Sequence, residues 1–427
     1  MEKIIVHGEK PLSGCVRVQG AKNAALPILA ACVLVCGVTT IDNCPDLSDV
    51  RAAVSILCRL GCTVERTGHT LTVDSRFVSC YTIPDELMRE MRSSIVFLGS
   101  VLARTGKAVL CAPGGCEIGL RPIDLHLAAL RALGTEIDEN SGVLCCRAKQ
   151  LCGTVIRLPF PSVGATENAL LAAVTARGDT LLCGAAREPE IDDLVLFLNR
   201  CGATISRTPQ GDLLVRGTPW LHGCRHRVMP DRIAALTLMA AVGTAGGNVL
   251  LRNVQPSHLT TALQVFRQTG CLAEPEEDGL RVAANGRLRA VKCIRTLPHP
   301  GFPTDGQAAV MAMLCTAQGR SQIIETIFEN RFHHVAALQK MGAQIRLRGC
   351  TAVVDGVPFL RGAAVSASDL RAGASLVIAG LGARGTTVID GVRHIDRGYE
   401  KIETCLKTLG AQIERSADSG SKQPQSE

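Results

Sequence analysis

Lys22, Arg92, Arg121, Arg331, Arg371 and Arg397 share a local setting: each stands at the start of a helical pattern or in a polar loop leading into or near one. Helix starts expose unpaired backbone N–H groups and a partial positive charge, so a lysine or arginine there works against the dipole. For Lys22, Arg92 and Arg371 that placement is explained by an anion held between the cations. Several such starts directed at one cleft would bind phosphate or carboxylate groups, so the cations describe a site for a substrate with several negative charges. The same loops carry Cys116, Glu188, Glu190 and Glu329. Free cysteine is usually an inert core residue, but Cys116 follows Gly114-Gly115 in a polar loop, where a thiol is available for chemistry. Ser162, Asp231, Asp305 and Asp369 open the remaining helical patterns, and these residue types are preferred N-caps. For any one of them taken singly, capping is the commoner role.

What positions these residues is an internal repeat. Amphipathic patterns end at Gly61, Gly134, Gly202, Gly270, Gly342 and Gly410, spaced 68 to 73 residues apart. A glycine there can take the left-handed conformation that terminates a helix. A second series, Gly37, Gly106, Gly178, Gly247, Gly319 and Gly385, closes more uniformly apolar helices and precedes short strands. Two interleaved series with one period predict six copies of a unit with two helices and about four strands, the more apolar helix being the buried one. Alternating runs such as Thr63-Val64-Glu65 and Leu71-Thr72-Val73 read as hairpins. The sixth copy has one strand, Ala411 to Glu414, before a polar tail from 416 to 427 that reads as disordered. Its missing strands are available at Lys3 to Val6 and Cys15 to Val18, so the two ends of the chain meet. The expected domains are residues 22–229, and residues 1–21 with 230–427.

Composition narrows the classes of function. With 427 residues and 46% hydrophobic content the chain can bury more than one core. A mild excess of 46 basic over 39 acidic residues, spread along the chain, suits small anionic substrates better than nucleic acid. Aromatic content of 3% leaves little for base-stacking platforms. The 20 cysteines follow a charged, polar start without a signal-peptide pattern, which points to reduced thiols and a cytoplasmic protein. The apolar stretch from Ala24 to Val38 contains Pro27 and falls short of the ~20 residues needed to span a bilayer. A buried helix, and no membrane, is expected. No CxxC pair occurs, so no metal is expected, and arginine and lysine can neutralise an anionic substrate without any cofactor.

Seven motifs carry a resemblance: Gly20-Ala21-Lys22-Asn23-Ala24, Pro113 to Pro122 around Gly115-Cys116-Glu117, Pro161-Ser162-Val163-Gly164-Ala165-Thr166, Pro300-Gly301-Phe302-Pro303-Thr304-Asp305, Glu329-Asn330-Arg331-Phe332, Asp369-Leu370-Arg371 and His394 to Tyr399. With these motifs the chain resembles the enolpyruvyl transferase family, in its UDP-sugar branch, from residue 1 to about 415. The resemblance implies an α/β fold of two inside-out α/β barrel domains, with helices inside, sheets outside and an active site in the interdomain cleft. It implies transfer of the enolpyruvyl group of phosphoenolpyruvate to the 3-hydroxyl of UDP-N-acetylglucosamine, in peptidoglycan synthesis. Lys22, Arg121 and Arg397 would hold the donor phosphate, with Arg331 and Arg371 on its carboxylate and Asn23 and Cys116 beside them. Asn23, Arg92, Arg121, Pro122, Ile123, Asp124, Leu125, Ser162, Val163, Gly164, Asp305 and Ile327 would contact the UDP-sugar. Cys116 would protonate the enol carbon or form a covalent phospholactoyl adduct, and Asp305 would take the proton of the sugar hydroxyl. Lys22 and Arg397 complete the expected catalytic set. The resemblance also implies that the Cys116 loop orders over the bound sugar nucleotide and that fosfomycin alkylates its thiol. Two departures bear on this transfer. Phe160 stands where some relatives carry a basic residue, leaving the diphosphate to backbone N–H groups after Ser162, and Ala234 replaces a glutamate and is given no role. Transfer to shikimate 3-phosphate, or a non-catalytic anion-binding paralogue, are the alternatives.

Overall fold

All six glycines of the first series have positive φ, between +84° and +104°. They follow the amphipathic helices Ser48–Leu60, Asp124–Ala132, Pro189–Arg200, Thr260–Thr269, His334–Lys340 and Ile402–Thr408. That backbone region disfavours any residue with a Cβ, so the glycine period in the sequence is a period of helix ends. The structure, a computed structural model, describes residues 2–111, 122–140 and 142–417. The chain divides into two compact units: Gln19–Asp231 with Pro298–Pro300, and Met1–Val18, Arg232–Leu297 and Gly301–Glu427.

Each unit is built on its more apolar helices. In Lys22–Cys32 every residue except Asn23 is buried, and in Thr304–Leu314 burial is continuous from Gly306 to Leu314. A helix apolar on all sides has no face to give to water. In the unit containing the N-terminal strands, Arg232–Ala245, Thr304–Leu314 and Leu370–Leu381 pack pairwise on one another. In the other, Phe97–Thr105 packs on Val163–Ala173 and on Lys22–Cys32. Each unit has its own hydrophobic core. Among the described residues no helix is long and apolar enough to cross a membrane.

Around these helices the described residues form six four-stranded sheets, three per unit, and one small two-stranded sheet. Strands such as Thr70–Asp74 alternate buried and part-exposed side chains, so one face of the sheet covers the helices. In the first copy Val38–Asp42 lies antiparallel to Thr70–Asp74, which forms the hairpin with Thr63–Thr67. The fourth strand is parallel and comes from another copy. Thr82–Ile83 joins the second sheet, Val155–Arg157 the third, and Arg225–Arg227 returns to the first, closing the ring.

The other unit follows the same rule in permuted order. Ile294–Arg295 and Ala364–Ser366 are handed forward in the same way. Glu2–His7 pairs between Thr386–Asp390 and Gln412–Ala417, and Leu12–Arg17 joins Gly247–Arg252 to close the second ring. The expected tail from 416 begins later than its composition suggests. Ser416 pairs with Lys3 and Ala417 with Glu2, because Glu2–His7 offers partners to their backbone groups. Residues 418–427 lie outside the described residues.

Candidate active site

Thr304–Leu314 begins without a side-chain cap, and Asp305 in its first turn is bound instead by two arginines. Arg331 Nη2 donates to Oδ1 at 2.5 Å and Arg371 Nη2 to Oδ2 at 2.9 Å. Both guanidiniums are about 5% exposed, against 27% for the carboxylate, so the anion is the open side of the cluster. Arg371 is fixed from behind. Its Nη1 donates to Tyr399 Oη at 3.0 Å, so the phenol proton is left for Thr237 Oγ1 at 2.9 Å, which in turn donates to the Ile233 carbonyl at 2.8 Å. The guanidinium also lies 5.5 Å from the centre of the Tyr399 ring. Asp369 caps Leu370–Leu381, accepting from the backbone N–H groups of Arg371 and Ala372. Arg397 is half-buried in the turn after Val392–Ile395. Arg415 grips both oxygens of the neighbouring Asp396 at 2.9 and 2.7 Å, and with Glu403 and Glu2 this anchors the turn. Ile327 is half-buried in a loop whose backbone bonds to Glu325.

In the other unit Lys22 is buried at the first position of its helix, its Nζ 3.2 Å from Oδ2 of the buried Asp49. Asp231 Oδ2 accepts from the Lys22 backbone N–H at 3.3 Å. The anions expected opposite Lys22 and Arg371 are thus carboxylates of the protein itself in this structure. Asn23 is half-buried on the next position. Ser162 caps Val163–Ala173, its Oγ accepting from Ala165 N at 3.4 Å. Val163 and Gly164 form the first turn, and a Cβ on Gly164 would lie 2.8 Å from Cε1 of the buried His126. That ring is held by Asn168 Nδ2, and Asn168 bonds in turn to Ile95 O and Gly99 N. Pro122 and Asp124 are exposed, and Ile123 and Leu125 half-buried, where Asp124–Ala132 begins. Phe160 is exposed before the Ser162 turn. Burial, then the charges of Glu190 and Glu188, push the Glu167 carboxyl well above the usual range.

Cys116 and Arg121 lie outside the described residues, as does the side chain of Arg92, whose backbone opens the 3₁₀ turn Arg92–Val96. Asp305, Arg331 and Arg371 come together in one unit, and Lys22 meets Asp49 and Asp231 in the other. The sequence reading gave no role to Asp49, Tyr399, Thr237, Glu325 or Arg415. Tyr399 was legible as part of a motif; the others are single polar residues, Asp49 and Thr237 on helices, Arg415 on a strand and Glu325 just past one.

The sequence profile of the EPSP synthase (3-phosphoshikimate 1-carboxyvinyltransferase) family matches residues 6–406. UDP-N-acetylglucosamine 1-carboxyvinyltransferase 2 of Caldanaerobacter subterraneus subsp. tengcongensis is 47% identical over 97% of this chain and all of its own. UDP-N-acetylglucosamine 1-carboxyvinyltransferase of Oleidesulfovibrio alaskensis is also 47% identical, over 97% of this chain and 99% of its own. Among solved structures, the enolpyruvyl transferase NikO from Streptomyces tendae superposes with a TM-score of 0.88 at 24% identity, covering 97% of this chain and 99% of that one. That likeness bears on the fold, two inside-out α/β rings; the profile and the near full-length identities bear on descent. On both grounds this chain belongs to the EPSP synthase-like family of enolpyruvyl transferases.

Proposed function

We propose that this protein transfers the enolpyruvyl group of phosphoenolpyruvate to the 3-hydroxyl of UDP-N-acetylglucosamine, with release of phosphate, in the cytoplasm as the first committed step of peptidoglycan synthesis. The observation that carries the choice of acceptor is identity of 47% over nearly the whole chain to relatives that bear that activity in their names. The geometry supports the chemistry. Lys22 and Arg397, with Arg121, neutralise the donor phosphate, while Arg331 and Arg371 take its carboxylate. A second carboxylate arriving on those two arginines loosens their hold on Asp305. Cys116 then protonates the methylene carbon of the enol, and the oxocarbenium-like carbon is attacked by the sugar 3-oxygen as its proton passes to Asp305. The tetrahedral ketal loses phosphate and a methyl proton, which restores the enol. Fixed cations stabilise the phosphate as it leaves.

The test is phosphate release from phosphoenolpyruvate with UDP-N-acetylglucosamine, with shikimate 3-phosphate, and with neither. Release with the sugar nucleotide alone is expected. Release with shikimate 3-phosphate instead would transfer the protein to the other acceptor, and binding of both sugar nucleotide and donor without release would make it a non-catalytic paralogue.

A further inference from the structure

We infer that Glu325 is a positioning residue whose two oxygens separately align Asp305 and Ile327, an inference that rests on the acceptor reading above. Glu325 is 2% exposed and follows the strand Arg320–Ile324. Its own N–H donates to the Cys350 carbonyl at 2.8 Å, which fixes its backbone. Oε2 accepts from Thr304 Oγ1 at 2.9 Å, and Thr304 is the first residue of the helix that presents Asp305. Oε1 accepts from Thr296 Oγ1 at 2.9 Å, from Ile327 N at 2.8 Å and from Phe328 N at 3.2 Å. Thr296 Oγ1 also accepts from Thr326 N at 2.9 Å, so the loop carrying Ile327 is tied to the same carboxylate directly and through Thr296.

A carboxylate taken from water is costly unless it is hydrogen-bonded, and an apolar side chain of the same size would fill such a space without that cost. What an apolar residue cannot supply is direction. Four accepted bonds from three chain segments fix where the first turn of Thr304–Leu314 stands relative to residues 326–328. The carboxylate acts through Thr304 on Asp305, and through the backbone N–H of Ile327 on the loop. The two arms can be cut separately. Loss of the Oε2 arm displaces the base and belongs to the chemical step, whereas loss of the Oε1 arm displaces a binding contact.

The experiment compares the full-length parent with Thr304→Val, Thr304→Ser and Thr296→Val. Misplacement of a reacting group by about 1 Å can cost ~100-fold, so Thr304→Val is expected to lower kcat by roughly ten- to a hundredfold with KM for UDP-N-acetylglucosamine within about twofold. Thr304→Ser keeps the hydroxyl and should restore kcat. Thr296→Val should show the reverse split, a raised KM with kcat little changed. The inference is overturned if kcat and KM of both valine variants stay at the parent's values, if serine does not restore kcat, or if the losses merely track a lowered Tm. Should the parent fail to turn over UDP-N-acetylglucosamine, the acceptor reading fails, and amide exchange of Glu325→Gln and Glu325→Ala decides the positioning by itself. Faster exchange in Glu325→Ala confined to residues 303–307 and 326–328, with Glu325→Gln closer to the parent, supports it. Unchanged exchange, or exchange raised throughout the surrounding core, overturns it.

Discussion

Asp305 illustrates how one side chain is given a task by its neighbours. It stands where an N-cap is expected, yet its oxygens go to Arg331 and Arg371. If Asp305 is the base as proposed, asparagine keeps the shape and removes the proton acceptor, so turnover of Asp305→Asn should fall by ~100- to 10,000-fold in a steady-state assay with the fold retained by circular dichroism. Turnover within about threefold of the parent, well below that range, would mean that another group is the base. His334 carries a different consequence. It is buried and its pKa is lowered to about 4, chiefly by desolvation, with the charge of Asp369 opposing the shift. The unfolded chain therefore takes up a proton near the ordinary 6.5 and the folded chain only near 4, so the unfolded state binds more protons between those values. Stability contributed by neutral His334 is complete above pH 6.5 and is lost as pH falls toward 4, by roughly 3 kcal/mol in all. Urea melts at pH 7.5, 6 and 5 should show a smaller acid loss in His334→Gln than in the parent; parallel losses would place the acid sensitivity elsewhere.

At the scale of elements, the helix starts are set by several different devices. Ser162 and Asp369 cap their own helices, whereas Asp231 accepts from the start of the Lys22 helix and Thr304–Leu314 is held by Glu325. The turn at Val163–Gly164 depends on a glycine for space rather than for backbone freedom. Helix propensity alone would make Gly164→Ala about 1 kcal/mol stabilising. The new Cβ would fall 2.8 Å from His126, whose ring cannot swing away without breaking its bond to Asn168. Gly164→Ala is therefore expected to lower stability, by about 1–3 kcal/mol as overpacked sites do, in urea denaturation. A stabilised variant would show that the His126–Asn168 pair moves freely.

For the molecule as a whole, the handing on of each fourth strand turns three copies into a closed ring, leaving no copy able to complete its sheet alone. The permuted unit makes this testable. Glu2 lies opposite Ala417 in an antiparallel register, so a two-residue Asn-Gly turn can join them as a hairpin. A chain running from Gln19 to Ala417, through that turn, to Glu2–Val18 keeps every described strand pair. It should fold with the parent's far-UV circular dichroism and cooperative melt. Deleting residues 2–8 instead removes a central strand with the fully buried Ile4 and Val6, and should abolish the cooperative transition of that unit. Both chains behaving alike would show that the strand is dispensable.

The sequence by itself determined the period, the ends of the amphipathic helices and the division between buried and amphipathic helices, because glycine conformation and apolar periodicity are local properties. It also placed Lys22, Asp305, Arg371 and Arg397 in motifs that belong to a known family. It misplaced the ends of apolar helices, since Gly37, Gly178 and Gly319 stand several residues beyond Cys32, Ala173 and Leu314, where the helices stop. It did not determine which sheet receives each fourth strand, since a short β-run such as Arg225–Arg227 looks the same whichever edge it joins. Nor could it show that Arg371 and Arg331 share Asp305, that Asp49 faces Lys22, or that Glu325 joins Thr304 to the loop of Ile327. Those partners are 21 to 66 residues apart along the chain, apart from the Glu325 contact to Ile327. Only the tertiary structure brings them within hydrogen-bond reach, because direction and distance between segments are fixed by packing and not by residue type.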